Sequence, residues 1–418
     1  MLLHLLAALA AVVLLGRVIS YLFRGIGQPP VIGEVVAGIM LGPSLLGRLW
    51  PDAYAFLLPA SVAPSLNLLS QLGVVLYMFL VGVELDTSVF RGRLRATVFI
   101  ALTGIAVPFA LGAGLATRLF PWLSPAGVSE SHFVLFLGIA MSITAFPVLA
   151  RILADRGITR TPLGRLSLTC AAVADVTAWC LLALVVGVVQ SREGGGLLTS
   201  VLTFGFIAFM FAVVRPSVVR MMRRWDEREP DRGVIAIVLV AVLLSAIVTE
   251  AIGVHAIFGA FLLGAVIPHD SRLARALEQR IEHPVTILLL PAFFAFAGMR
   301  TEIGLLTGVD EWLTCAALIV VATAGKFGGT VLAARMTGQD WRQSAGLGIL
   351  MNTRGLMELI VLNLGLDLGI ISPALFTMMV IMALATTMAT TPLLRAVQGS
   401  EFRVPVPLPD ATARRETP

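Results

Sequence analysis

Along the chain, apolar residues come in blocks of roughly 20, separated by short stretches rich in Arg, Gly and Pro. A helix rising about 1.5 Å per residue needs about 20 such residues to cross the hydrocarbon core of a bilayer. Within that core every backbone polar group must be bonded inside the protein, so the blocks predict helices rather than open strands. They fall near 2–23, 31–47, 65–86, 96–119, 132–153, 165–189, 197–221, 233–251, 254–268, 284–300, 309–335, 343–367 and 372–397. The fold expected is an all-α polytopic membrane protein of about 13 transmembrane helices. The spans near 31–47 and 254–268 are short and Gly-rich. The first block, MLLHLLAALAAVVLLG, lacks the basic start and small-residue cleavage site of a signal peptide and reads as a retained helix. Residues 269–283 (HDSRLARALEQRIEH) alternate with a helical period and predict an amphipathic surface helix, not a crossing. Residues 1–399 are thus expected to form one membrane domain, and the polar, Pro-bearing stretch 400–418 a disordered cytoplasmic tail.

Composition agrees with this reading. The 418 residues are 58% hydrophobic and 13% charged, with mean hydropathy +0.93, whereas soluble domains are about one quarter charged. The net charge of +5 is not a nucleic-acid footprint, because nearly all of it is Arg in the loops between apolar blocks. With the N-terminus outside, the loops and adjoining span ends on the inner side hold 23 Arg, those on the outer side hold 4, and Arg17, Lys326 and Arg354 lie within spans. Such an asymmetry sets topology. It predicts a multi-pass protein of the cell inner (plasma) membrane, with the N-terminus outside and the C-terminus cytoplasmic. The three cysteines, Cys170, Cys180 and Cys315, fall inside apolar blocks without metal-site spacing and read as small buried hydrophobes. No nucleotide-binding loop, His/Cys cluster or nucleophile elbow is present, so neither a hydrolytic enzyme nor a cofactor is expected.

A weak internal repeat is visible. Gly38-Ile-Met-Leu-Gly42 in the second span matches Ala260-Phe-Leu-Leu-Gly264 in the ninth. Gly82-Val-Glu84-Leu-Asp86 in the third matches Gly298-Met-Arg300-Thr-Glu302 in the tenth. Seven spans separate each pair, so the two copies cross in opposite directions. Inverted repeats of this kind are common in secondary transporters, although Gly-rich membrane helices also resemble one another by chance.

Charged groups at bilayer depth cost several kcal/mol and mark function by default. Asp175 lies mid-span in TCAAVADVTAWCLLAL. Dry surroundings favour its protonated form and a bound cation favours the carboxylate, so this one group can hold either. Bonding to a neighbouring helix is the plainer alternative. Lys326, the sole lysine, is a candidate counter-charge that can lose its proton as an arginine cannot. It could otherwise snorkel to the interface. In the twelfth span, Asn352-Thr353-Arg354-Gly355 predicts a break in the helix, tolerated only against protein or a wet cavity. Arg354 and Glu358 stand i,i+4 and can pair as a charge-compensating couple. The fifth span carries the matching irregularity Ser142-Ile-Thr144-Ala-Phe-Pro147, and broken helices in corresponding halves point to a binding site. The candidate ion- and proton-binding residues are therefore Asp175, Thr144, Ser142 and Asn352, with Lys326, Arg354 and Glu358 compensating charge. Glu34, Glu84, Asp86, Glu250 and His255 are weaker candidates near span ends.

At these residues the chain resembles the monovalent cation:proton antiporter-2 family, which includes Kef-type bacterial systems and plant cation/proton exchangers. The resemblance runs from about residue 28 to 395. It rests on GQPPVIGEVVAGIMLGPSLLG, LGVVLYMFLVGVELD, SITAFPVLARIL, AAVADVTAW, GVHAIFGAFLLGAVIP, PAFFAFAGMRTEI and MNTRGLMELIVLNLG. It implies a thirteen-helix fold with a core domain and a dimerisation domain, hence a homodimer in the lipid bilayer. It implies that the fifth and twelfth spans are unwound and cross, that Asp175 binds ion and proton, and that Lys326 is the core lysine. Na+ or K+ would then exchange for H+ as the core moves. One departure is Ala174, where the family often has Asn, Gln or Asp. The residues alone leave open an organic-anion symporter, and an ion channel or sensor on the same scaffold.

Overall fold

The computed structural model describes residues 2–84, 94–190, 196–225 and 231–398. Asp86 and the expected tail at 400–418 lie outside the described residues. From the N-terminus the helices are α1 (Leu2–Gly25), α2 (Pro30–Leu41), α3 (Leu46–Leu49), α4 (Pro51–Leu57) and α5 (Ala63–Val83). Next come α6 (Leu94–Leu123), α7 (Glu130–Ser142), α8 (Phe146–Asp155), α9 (Pro162–Gln190), α10 (Gly196–Phe209), α11 (Arg215–Trp225) and α12 (Arg232–Ile252). The remainder are α13 (Ala256–Val266), α14 (Arg272–Pro284), α15 (Leu290–Met299), α16 (Val309–Met336), α17 (Trp341–Met351), α18 (Leu356–Asp367) and α19 (Pro373–Gln398). Single π turns join α10 to α11 and α14 to α15.

Among the described residues, eleven helical segments are long and apolar enough to span a bilayer, and the bent pair α17–α18 makes twelve. The ninth expected span is α13, whose 11 residues rise only about 16 Å. Protein rather than lipid surrounds it, since ten of its residues are buried. Residues 269–283 do form the expected amphipathic helix: α14 buries Leu273, Ala274, Leu277 and Ile281 and leaves its charges outward.

Two bundles pack side by side. The first holds α1, α2, α5, α12, α13 and α15, and the second holds α6, α7–α8, α9, α16, α17–α18 and α19. Glycines bring the helices of the first bundle together. A Cβ on Gly38 of α2 or on Gly42 just past it would strike the carbonyls of Phe294 and Gly298 of α15 respectively, and one on Gly264 of α13 would strike the carbonyl of Phe79 in α5. Gly82 meets the carbonyl of Phe261 in return, and Gly298 meets Gly38. The second span thus lies on the tenth as the ninth lies on the third. This is the exchange of partners that the inverted repeat requires, made through small residues as membrane helices pack generally.

Candidate functional site

The second bundle is built around two interrupted helices. α7 ends at Ser142, residues 143–145 are extended, and Pro147 opens α8, where its missing N–H has no bond to lose. α17 ends at Met351 and α18 starts after Gly355, the two axes meeting at 43°. A Cβ on Gly355 would lie 2.7 Å from Cγ2 of Val148, so only glycine lets the breaks approach this closely. Interrupting a helix orphans its terminal carbonyls and amides, and here each break satisfies the other. The Ala145 amide donates to the Thr353 carbonyl at 3.0 Å, and the Thr144 hydroxyl donates to the Met351 carbonyl at 3.1 Å.

The last carbonyls of α7, at the negative end of its dipole, are taken by two cations from elsewhere. The Arg354 guanidinium donates to Ala140 at 3.0 Å and to Met141 at 2.5 Å, and Lys326 Nζ donates to the Ser142 carbonyl. Arg354 also pairs with Glu358 at 2.8 Å, and neither side chain is exposed. Lys326 is 0% exposed, so it does not snorkel. It is held inside because α16 packs tightly on α6 through Gly325 and Gly329, where a Cβ would lie 2.8 Å from Pro108 Cα and Val107 Cβ respectively.

Asp175 lies near the middle of α9, 3% exposed, on a face of small residues that includes Ala171, Ala174 and Ala178. Its Oδ1 accepts no hydrogen bond, and the same holds for Asn352 Oδ1 and Glu358 Oε1. The Trp179 side chain lies one turn on and close enough to favour the Asp175 carboxylate. The Trp179 ring lies 6.2 Å, centre to centre, from that of Phe261 in the first bundle. Tyr77 of α5 is within electrostatic reach of Asp175. The carboxylate therefore stands where the two bundles face each other, with Lys326 the basic group that acts on it.

The breaks thus bring together Ser142, Thr144, Asn352, Lys326, Arg354 and Glu358, with Asp175 beside them on the next helix. The structure adds detail to two of these residues. The Ser142 hydroxyl donates to Ile139 of its own helix at 2.8 Å and the Thr144 hydroxyl donates across to the opposite break, which orients both oxygens but leaves their lone pairs open, while Asp175 Oδ1, Asn352 Oδ1 and Glu358 Oε1 carry no hydrogen bond at all. His255 caps α13, and the Glu250 carboxylate accepts from the Ala256 amide at 2.8 Å. Sequence reading missed Thr387, whose hydroxyl both accepts from the Arg354 amide at 2.8 Å and donates to its carbonyl at 2.7 Å. The signal was there in the paired threonines 386–387 and 390–391 at one-turn spacing, all buried.

Comparison with known proteins agrees with this architecture. The chain is 44% identical over 395 residues to the Na+/H+ antiporter NhaS4 of Synechocystis, covering 94% of this chain and 96% of that one. It is 34% identical over 405 residues to K+/H+ antiporter 1 of Saccharomyces cerevisiae, covering 94% of this chain but only 46% of that much longer protein. The fold matches the structure of the sodium proton antiporter MjNhaP1 from Methanocaldococcus jannaschii with a TM-score of 0.68 at 13% identity, over 96% of this chain and 98% of that one. The model of the sodium/hydrogen exchanger transmembrane family matches residues 9–396, and the chain belongs to that family.

Proposed function

We propose that the protein is a secondary antiporter that exchanges a monovalent cation, Na+ or K+, for H+ at Asp175 by alternating access. The observation that carries this is a buried carboxylate with one oxygen free of hydrogen bonds, facing the seam between two separately packed bundles. A cation binds the ionised group through that oxygen, with the oxygens of Asn352, Ser142 and Thr144 at the breaks completing its shell. A proton replaces it by neutralising the acid, which dry surroundings favour. Occupancy by one or the other is what lets the second bundle move against the first, so that neither species crosses without its counterpart. The names of relatives support antiport and divide between Na+ and K+. With Ala174 beside Asp175 rather than a second acid, exchange is one-for-one, and a solid-supported membrane records no net current. We place the protein in the plasma membrane with its N-terminus outside, as a homodimer.

The test is dequenching of a trapped pH dye in everted vesicles when Na+, K+ or Li+ is added. Asp175→Asn keeps the protein folded and reduces the response to that of vesicles lacking the protein. Cation-driven proton movement that survives this substitution overturns the reading. Cation flux with no proton counter-flow would instead favour a channel.

A further inference from the structure

At one end of the seam the second bundle grips the turn between α1 and α2 of the first. The Arg156 guanidinium, just past α8, donates to the Gly27 carbonyl at 2.8 Å, and the Gln28 amide donates to the Met388 carbonyl of α19 at 3.0 Å. Arg395, in the last turn of α19, reaches the same place. A Cβ on Gly27 would lie 2.7 Å from Nη2 of Arg156 and 2.8 Å from Nη2 of Arg395. Two guanidinium groups therefore flank a single point beside the turn, and Gly27, with φ 75°, is the residue type that fits there. Like charges this close repel. Partial burial and the Arg395 charge both push Arg156 below the ordinary arginine value, with only Asp155 opposing. Asp155 is itself held by Arg151 at 3.1 Å. Arg156 spends one donor on Gly27, and among the described residues no carboxylate is paired with Arg395, so most of both forks remains to be used. Two guanidinium forks converging on one point match the oxygens of a phosphate group.

We propose that Arg156, Arg395 and the Gly27–Gln28 turn form a binding site for a phosphate-bearing anion that ties the two bundles together at this end of the seam. Arg395 ends an apolar membrane helix, so the phosphate of an acidic phospholipid and a free phosphate compound can both reach it. The bound anion screens the two guanidinium groups from each other and bridges elements from both bundles, and so slows their relative movement. That last consequence rests on the alternating-access reading, whereas binding itself does not.

The experiment uses the full chain purified in detergent. Native mass spectrometry with added phosphatidylglycerol, against phosphatidylcholine, reads lipid retention, and calorimetric titration with inorganic pyrophosphate reads the soluble alternative. Wild type is compared with Arg156→Gln/Arg395→Gln and with Arg160→Gln/Arg165→Gln, which removes the same charge from exposed positions. Loss of two charge-assisted contacts weakens binding of one probe about tenfold or more, and the control pair leaves it near wild type. Loss of phosphatidylglycerol assigns the site to a lipid, and loss of pyrophosphate assigns it to a soluble ligand. Gly27→Ala keeps both arginines but sets a methyl against their tips, and it weakens the same probe. Equal weakening in both double variants, or no binding of either probe by wild type, overturns the proposal. Because the readout is binding, an inactive Asp175 variant that still binds keeps the two readings apart.

Discussion

Arg354 illustrates how a full charge is kept inside the membrane. Its guanidinium meets two carbonyls of α7 and the Glu358 carboxylate, while its own amide and carbonyl are both held by Thr387. Taking one partner from a buried ion pair leaves the other uncompensated, which costs about 3–5 kcal/mol. Glu358→Ala therefore lowers thermal stability in detergent by roughly that amount, and Arg354→Ala by no less, since it also frees the ends of α7. The double variant loses less than the two single losses added together, because it removes both charges. Additive losses would show that the pair is not coupled. Of this site, the sequence shows every charged member, because Asp, Glu, Lys or Arg mid-span stands out against apolar neighbours. It does not show what each cation bonds. Lys326 reads as a partner for a carboxylate, yet its ammonium rests on the Ser142 carbonyl. That carbonyl is exposed only because α7 ends there, a consequence of tertiary crossing that no residue type encodes.

At the scale of helices, the breaks are legible and the contacts between them are not. Pro147 and the Asn-Thr-Arg-Gly run each forbid a smooth helix locally, but that the two breaks bond each other follows from how the second bundle closes. Glycine has a similar double meaning. Gly38, Gly82, Gly264 and Gly298 look like generic membrane-helix residues in sequence, and in the fold they are the points where α2 meets α15 and α5 meets α13. The repeat relates Gly82 to Gly298, so alanine at either position forces equivalent backbones apart. Gly82→Ala and Gly298→Ala each destabilise by about 1–3 kcal/mol, the usual cost of overpacking. Gly304→Ala, with no atom within 4 Å of the added carbon, stays near wild type. Thermal unfolding of the three variants measures this. A Gly82 loss far from that of Gly298 would mean the two crossings are not equivalent, and the repeat would be one of sequence alone.

For the molecule as a whole, the Arg count carries an expectation about which helix ends lie together. The termini it assigns to the outer side are drawn together: Asn67 at the start of α5, His255 before α13 and Asp367 at the end of α18 line one pocket. Those assigned to the inner side, Gly27, Arg156 and Arg395, meet at the other end of the seam. One miscounted span would have split these groups. What hydropathy could not supply is which spans share a bundle, since that depends on glycine faces. At the end the Arg count assigns to the outer side, the bundles are joined by Arg300, just past α15, which pairs with Asp367, donates to Asn363 at 3.1 Å and stacks on Phe296 at 4.6 Å. The pair is partly exposed, at 25% and 36%, so its own worth is at most about 1 kcal/mol. That is nevertheless enough to shift a two-state equilibrium roughly five-fold. If the seam opens outward by parting these residues, Asp367→Asn favours the open arrangement. Ser70, a buried residue lining the same pocket, reports on it as Ser70→Cys in a background with Cys170, Cys180 and Cys315 replaced by serine. An impermeant maleimide added outside then labels the Asp367→Asn variant a few-fold faster than its parent, and Arg300→Gln gives the same acceleration because it breaks the same contact. An unchanged rate in both would mean that the outer end of the seam opens elsewhere, with Arg300 serving only to pin the end of α15.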